Sequence, residues 1–199
     1  MHILKSLLLR TLLAAGTFAA AGCACANPLY HVTVDTRTLP GTGGYVDFLF
    51  AGPLSPTSPA APTATVARVT GAFDDAANFA WGSPHGTLAS SLVLGNGDEY
   101  GAWLGFGGIL AFDVAFGGIE APGASGMDLS VALLGADRFS YAPGTSGNVV
   151  TFSLQPGQAD GVTTDAALAG VTPLPEPAAL AQMATGFLLL AGALRRRRR

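Results

Sequence analysis

The sequence predicts an all-β protein: an antiparallel β-sandwich, jelly-roll-like, with an N-terminal signal helix before it and a C-terminal transmembrane helix after it. Three observations carry this expectation. From Leu29 onward apolar residues recur with period two rather than the helical ~3.6. Runs of that kind are short and are separated by glycine- and proline-rich breaks. Between Asn27 and Gly170 no convincing amphipathic helix occurs, and the two long apolar stretches lie at the chain ends.

The first apolar stretch belongs to residues 1–26, which have the three parts of an export signal. Lys5 and Arg10 supply the positive start, Thr11 to Ala21 the short apolar run, and Ala24-Cys25-Ala26 the small residues that signal peptidase accepts. Cleavage after Ala26 starts the mature chain at Asn27-Pro28 and removes both cysteines, Cys23 and Cys25, so no disulfide is expected in it. An alternative reading takes Ala20-Ala21-Gly22-Cys23 as a lipobox with Cys23 lipidated. Lipoboxes usually carry a larger aliphatic residue where Ala20 stands, which favours the plain cleavage site.

The domain, residues 27–172, opens with Tyr30-His31-Val32-Thr33-Val34-Asp35, in which Tyr30, Val32 and Val34 face one way. His31 faces the other way, beside Asp35, where local pairing on the surface is expected. After a break at 39–44, Tyr45 to Phe50 repeats the pattern with Val46, Phe48 and Phe50 on one face. The stretch 52–62, rich in Pro, Ser and Ala, reads as an exposed loop, because the strand pattern resumes beyond it. Further strands are expected over Ala64 to Val69, Thr87 to Leu94, Tyr100 to Phe106, Leu110 to Phe116, Leu129 to Leu134, Arg138 to Tyr141 and Val149 to Leu154, some nine in all. In Leu110 to Phe116 large apolar residues alternate with small or charged ones, one face for a core and one for water. Residues 157–174 read as a final strand or loop.

The tail, residues 173–199, begins with Pro175-Glu176-Pro177, continues as an apolar segment from Ala178 to Leu194, and ends in Arg195, Arg196, Arg197, Arg198 and Arg199. The prolines enforce an exposed, extended segment of the sort a protease threads. As a helix, residues 178–194 would span about 25 Å, a marginal membrane crossing. The five arginines hold the cytoplasmic side and leave the domain outside.

This combination of a Pro-Glu-Pro motif, an apolar helix and a basic cluster at the C-terminus resembles the PEP-CTERM sorting signal of Gram-negative bacteria. The resemblance implies recognition by an exosortase-type membrane protease, cleavage near Pro175-Glu176-Pro177, and a setting of exopolysaccharide or biofilm production. It further implies an inner-membrane-anchored precursor that passes to the cell surface or extracellular matrix. The alternative is a plain C-terminal anchor after a proline-containing linker. The domain itself resembles a subset of PEP-CTERM proteins that opens with a Tyr-His-Val-Thr-Val-Asp-Thr strand and a Gly-Tyr-x-Asp-Phe strand, here Tyr30 to Thr36 and Gly44 to Phe48. That resemblance implies no catalytic residue.

Charge and motifs exclude several functions. Between Asn27 and Leu174 three arginines (Arg37, Arg68, Arg138) stand against twelve acids, a net charge near −9 with no lysine. A nucleic-acid partner is therefore not expected, since phosphates need a basic footprint. No cofactor motif is present: His31 and His85 are too few for ordinary zinc, and there is no nucleophile elbow, phosphate loop or dinucleotide fingerprint. The acidic surplus suits calcium, yet no EF-hand-like loop occurs. Asp74-Asp75 and Asp98-Glu99 are the only adjacent acids a glycosidase would draw on. Neighbours on turns point apart, and both pairs read as turns.

Trp81, Tyr100 and Trp103 are the candidate sugar-stacking platform, although aromatics in a sandwich are more often core. The expected function is a non-catalytic structural or adhesive domain at the cell surface or in an exopolysaccharide matrix. The alternative is a carbohydrate-binding module.

Overall fold

The alternation read in the sequence becomes the inside and outside of two sheets. In the computed structural model, which describes residues 29–53, 61–119 and 126–175, Val46, Phe48 and Phe50 are fully buried. So are Val32 and Val34, and Leu110, Phe112, Val114 and Phe116.

Among the described residues there are eleven strands and no helix. In chain order they are β1 (Leu29–Asp35), β2 (Gly43–Ala51), β3 (Thr63–Thr70), β4 (Phe73–Trp81), β5 (Ser91–Gly95), β6 (Asp98–Gly105), β7 (Ile109–Gly117), β8 (Met127–Leu134), β9 (Asn148–Leu154), β10 (Gly161–Thr164) and β11 (Ala169–Pro173). They form a five-stranded sheet, β11-β1-β7-β3-β5, and a six-stranded sheet, β10-β9-β8-β2-β6-β4, with every pairing antiparallel. The sheets pack face to face as a β-sandwich.

An aromatic seam joins the two layers. Phe48 of β2 meets Phe112 of β7 edge-on with centroids 5.2 Å apart. Phe116 contacts Phe50, Phe152 and Tyr30. The Tyr30 hydroxyl donates to Asp160 Oδ2 at 2.6 Å, which ties β1 to the turn before β10. Burial and then that carboxylate push the phenol well above its usual range.

Several expected elements need correction. The stretch Thr87 to Leu94 is strand only in its second half, since β5 starts at Ser91. Arg138 to Tyr141 is a turn: Asp137 Oδ1 accepts from the amides of Phe139 and Ser140, and Arg138 takes φ +67°. Asp74 and Asp75 belong to a strand missing from the sequence-based set, β4, at an irregularity where the register against β6 jumps between Asp74 and Asn78. Residues 157–174 hold two strands, β10 and β11. The expected signal helix and transmembrane helix lie outside the described residues.

Both ends of the sandwich leave from one place. β11 pairs with β1, and the Leu174 amide donates to the Leu29 carbonyl at 2.8 Å.

Because the Phe48–Phe112 contact is fully buried and central, Phe112→Ala is expected to cost about 3–5 kcal/mol. A urea denaturation series checks this, and a loss under about 1 kcal/mol would mean that the two sheets do not pack through this seam.

Candidate functional site

Period two gives each sheet an outer face, and the two outer faces differ. On the five-stranded sheet, His31 of β1 and Ala67 of β3 flank Asp113 of β7 in register. Asp113 is only 4 % exposed, so its carboxylate needs partners. His31 Nδ1 lies 2.6 Å from Asp113 Oδ1, and the Arg68 guanidinium closes on Oδ2. Arg68 reaches it from a bulge where its φ is +53°. His31 is thus paired with Asp113, not with the neighbouring Asp35, which binds Arg37 instead. Arg37 holds the Asp35 carboxyl down at about 2.

On the six-stranded sheet the outer face is aromatic. Tyr45 of β2, Phe79 of β4 and Trp103 of β6 pack together, with Tyr45 centroids 5.6 Å from Phe79 and 5.4 Å from Trp103. Gly101 makes this possible. A Cβ there would stand 2.2 Å from Phe79 Cε1, so only glycine lets the Phe79 ring lie across β6. Arg138 donates to the Tyr45 hydroxyl at 2.9 Å and places its guanidinium 4.8 Å from the Tyr45 centroid.

The sequence-derived aromatics separate on this framework. Trp81 is 70 % exposed on the edge strand, and Trp103 is half-buried in the outer cluster. Tyr100 is three residues from Trp103 in the same strand, so it points inward and is 4 % exposed. Its hydroxyl donates to Asp75 Oδ1 at 3.1 Å, and burial with that carboxylate pushes the phenol up to about 12. Trp81 and Trp103 therefore share a face that Tyr100 does not. The buried Tyr45 and the half-buried Phe79 complete the aromatic cluster around Trp103, and Phe79 carried no distinct signal in the sequence.

The four acids of the expected pairs have separate tasks. Asp75 accepts from the Leu88 and Ala89 amides and fastens the loop before β5. Asp98 accepts from Gly95 and Ser83 amides, closing the β5–β6 turn. Asp74 accepts from the Ala76 amide within the irregular part of β4. Glu99 faces outward, opposite Trp81.

Beside Glu99 stands Asp47 of β2, which the sequence marks only as the acid of the Gly-Tyr-x-Asp-Phe strand. Its Oδ1 is closed from solvent and has no hydrogen-bond partner among the described residues. Burial, and then the Glu99 charge, raise this carboxyl to about 7, with a smaller opposing pull from the Phe48 amide.

Among the described residues no group of three or more His, Cys, Asp or Glu is placed to hold a metal ion. Pro175 is exposed just beyond β11. Glu176, Pro177, the five terminal arginines, and Ala24 and Ala26 of the peptidase site lie outside the described residues. No family model, curated protein or solved structure matches the chain.

The folded chain holds a proton on Asp47 that the unfolded chain releases above about pH 4. Stability therefore falls as pH rises from about 4 to about 7. Asp47→Asn is expected to stabilise the protein by about 1–3 kcal/mol at pH 8 and to leave it nearly unchanged at pH 4. Urea midpoints at the two pH values check this; equal effects at both would show that Asp47 titrates normally.

Proposed function

We propose that the chain is an exported cell-surface or exopolysaccharide-matrix protein whose sandwich is a non-catalytic structural or adhesive domain. On this reading signal peptidase removes residues 1–26 and an exosortase-type membrane protease cuts near Pro175-Glu176-Pro177. The precursor is held in the inner membrane by residues 178–194, with Arg195 to Arg199 inside.

The observation that carries it is the pairing of Leu29 with Leu174. The chain enters and leaves the sandwich side by side, so both processing segments depart from one end of the domain. A folded domain can then stand on one membrane surface while each end is handled there. Strands β1 to β8 alternate between the two sheets, which supports the jelly-roll-like description.

The non-catalytic reading is supported by the use of Asp75 and Asp98 as acceptors for loop amides. A glycosidase pair needs carboxyls free to face a substrate. A second reading, a carbohydrate-binding module, is favoured by one specific observation. A tryptophan that could pack in the core instead stands open on the face that carries Tyr45, Phe79 and Trp103.

Intact-mass analysis of the protein recovered from culture medium tests the sorting reading. The expected product begins at Asn27 and ends near residues 175–177. Recovery of a chain with Met1 and Arg199 both intact would contradict it.

A further inference from the structure

One register row crosses the whole outer face of the six-stranded sheet. It runs Trp81 (β4), Glu99 (β6), Leu49 (β2), Ser130 (β8), Thr151 (β9) and Thr163 (β10). All six side chains point outward, because residues paired across antiparallel strands share a face. Five interstrand gaps make the row about 24 Å long, enough for several linked sugar rings.

The row changes character along its length. At the β4 edge the Trp81 indole is open to stack, and Leu49 is 37 % exposed. Toward β10 it becomes a line of hydroxyls, of which Ser130 and Thr163 make no side-chain hydrogen bond among the described residues, while Thr151 accepts weakly from Asn148 at 3.4 Å. An apolar ring face at one end and free hydroxyls at the other match a pyranose polymer, which offers C–H faces and hydroxyl edges together.

Charge narrows the class. Two carboxyls, Glu99 in the row and Asp47 on the neighbouring strand, stand in the middle of this face. All three arginines of the described domain are engaged: Arg37 with Asp35, Arg68 with Asp113, and Arg138 with Tyr45. The row itself carries Glu99 and no cation, so a uronate or sulfated polymer laid along it would meet an acid. An ammonium group would gain the Glu99 carboxylate and the tryptophan face.

We propose that this face binds an amino-sugar polymer laid across the strands from Trp81 to Thr163, with Glu99 receiving an ammonium group. The inference rests on the carbohydrate-binding reading above and adds the class of glycan.

The test is calorimetric titration of the full chain, purified in mild detergent, at pH 6. The probes are a β-1,4-linked glucosamine hexamer, the same hexamer fully N-acetylated, and a galacturonate hexamer. The amine hexamer is expected to bind at least about tenfold tighter than the acetylated one, and the galacturonate not at all. Trp81→Ala is expected to weaken both binders about tenfold or more. Glu99→Gln should abolish the preference for the amine and leave the acetylated hexamer unchanged. Both positions are on the surface, and unchanged thermal midpoints would show that the variants fold.

Equal affinity for the two binders would overturn the amino-sugar assignment while sparing the carbohydrate reading. Binding of none would overturn both. Amine binding that persists undiminished in Trp81→Ala and Glu99→Gln would be general attraction to an acidic domain, and would also overturn the proposal.

Discussion

The seam of phenylalanines between the sheets sets the register of the strands that meet in it, and through them the placement of both outer faces. Phe48 against Phe112, and Phe116 among Phe50, Phe152 and Tyr30, lock the register of β2, β7 and β9 to the core. A slip of one residue in any of these strands would turn a phenylalanine outward and a polar residue inward. Both cysteines, Cys23 and Cys25, precede the sandwich, so burial and sheet hydrogen bonding must hold it. Once the inner faces are assigned, every outward side chain has its position fixed as well.

Those outward faces are treated in opposite ways. Over the five-stranded sheet, Asp113 is sealed by His31 and Arg68, so a central charge is neutralised and covered. Over the six-stranded sheet, the acids Asp47 and Glu99 stand among aromatics, and no cation pairs with Asp47 among the described residues. A carboxyl raised toward neutrality by burial and a like charge is a cost to folding. A surface that keeps such a cost, together with an open tryptophan on its edge strand, is better suited to binding than to mere coverage.

Much of the sandwich was legible because β1, β2 and β7 alternate cleanly, with Phe48, Phe50, Phe112 and Phe116 at the expected inward positions. β4 was not legible: Phe73 to Trp81 contains adjacent acids, three alanines and a register irregularity, so its period is broken. Edge strands tolerate such composition because one side has no partner to satisfy. The site was partly legible. Trp81 and Trp103 were named, and the period alone separates Tyr100 from Trp103, since an odd spacing in a strand reverses the face. The role of Phe79 could not be read, because it depends on Gly101 in a different strand. Nor could that of Asp47, whose environment is set by its sheet neighbours, including Glu99, rather than by adjacent sequence.

On the carbohydrate-binding reading, the outer face of the six-stranded sheet is the contact surface, with Trp81 at its open end. The chain has only two tryptophans, so in a Trp103→Phe background the fluorescence reports Trp81 alone. The expected emission is red-shifted and readily quenched by acrylamide, and it shifts to the blue and becomes shielded when the glucosamine hexamer saturates the chain. An indole already shielded without ligand, or one whose emission does not move at saturation, would contradict that reading.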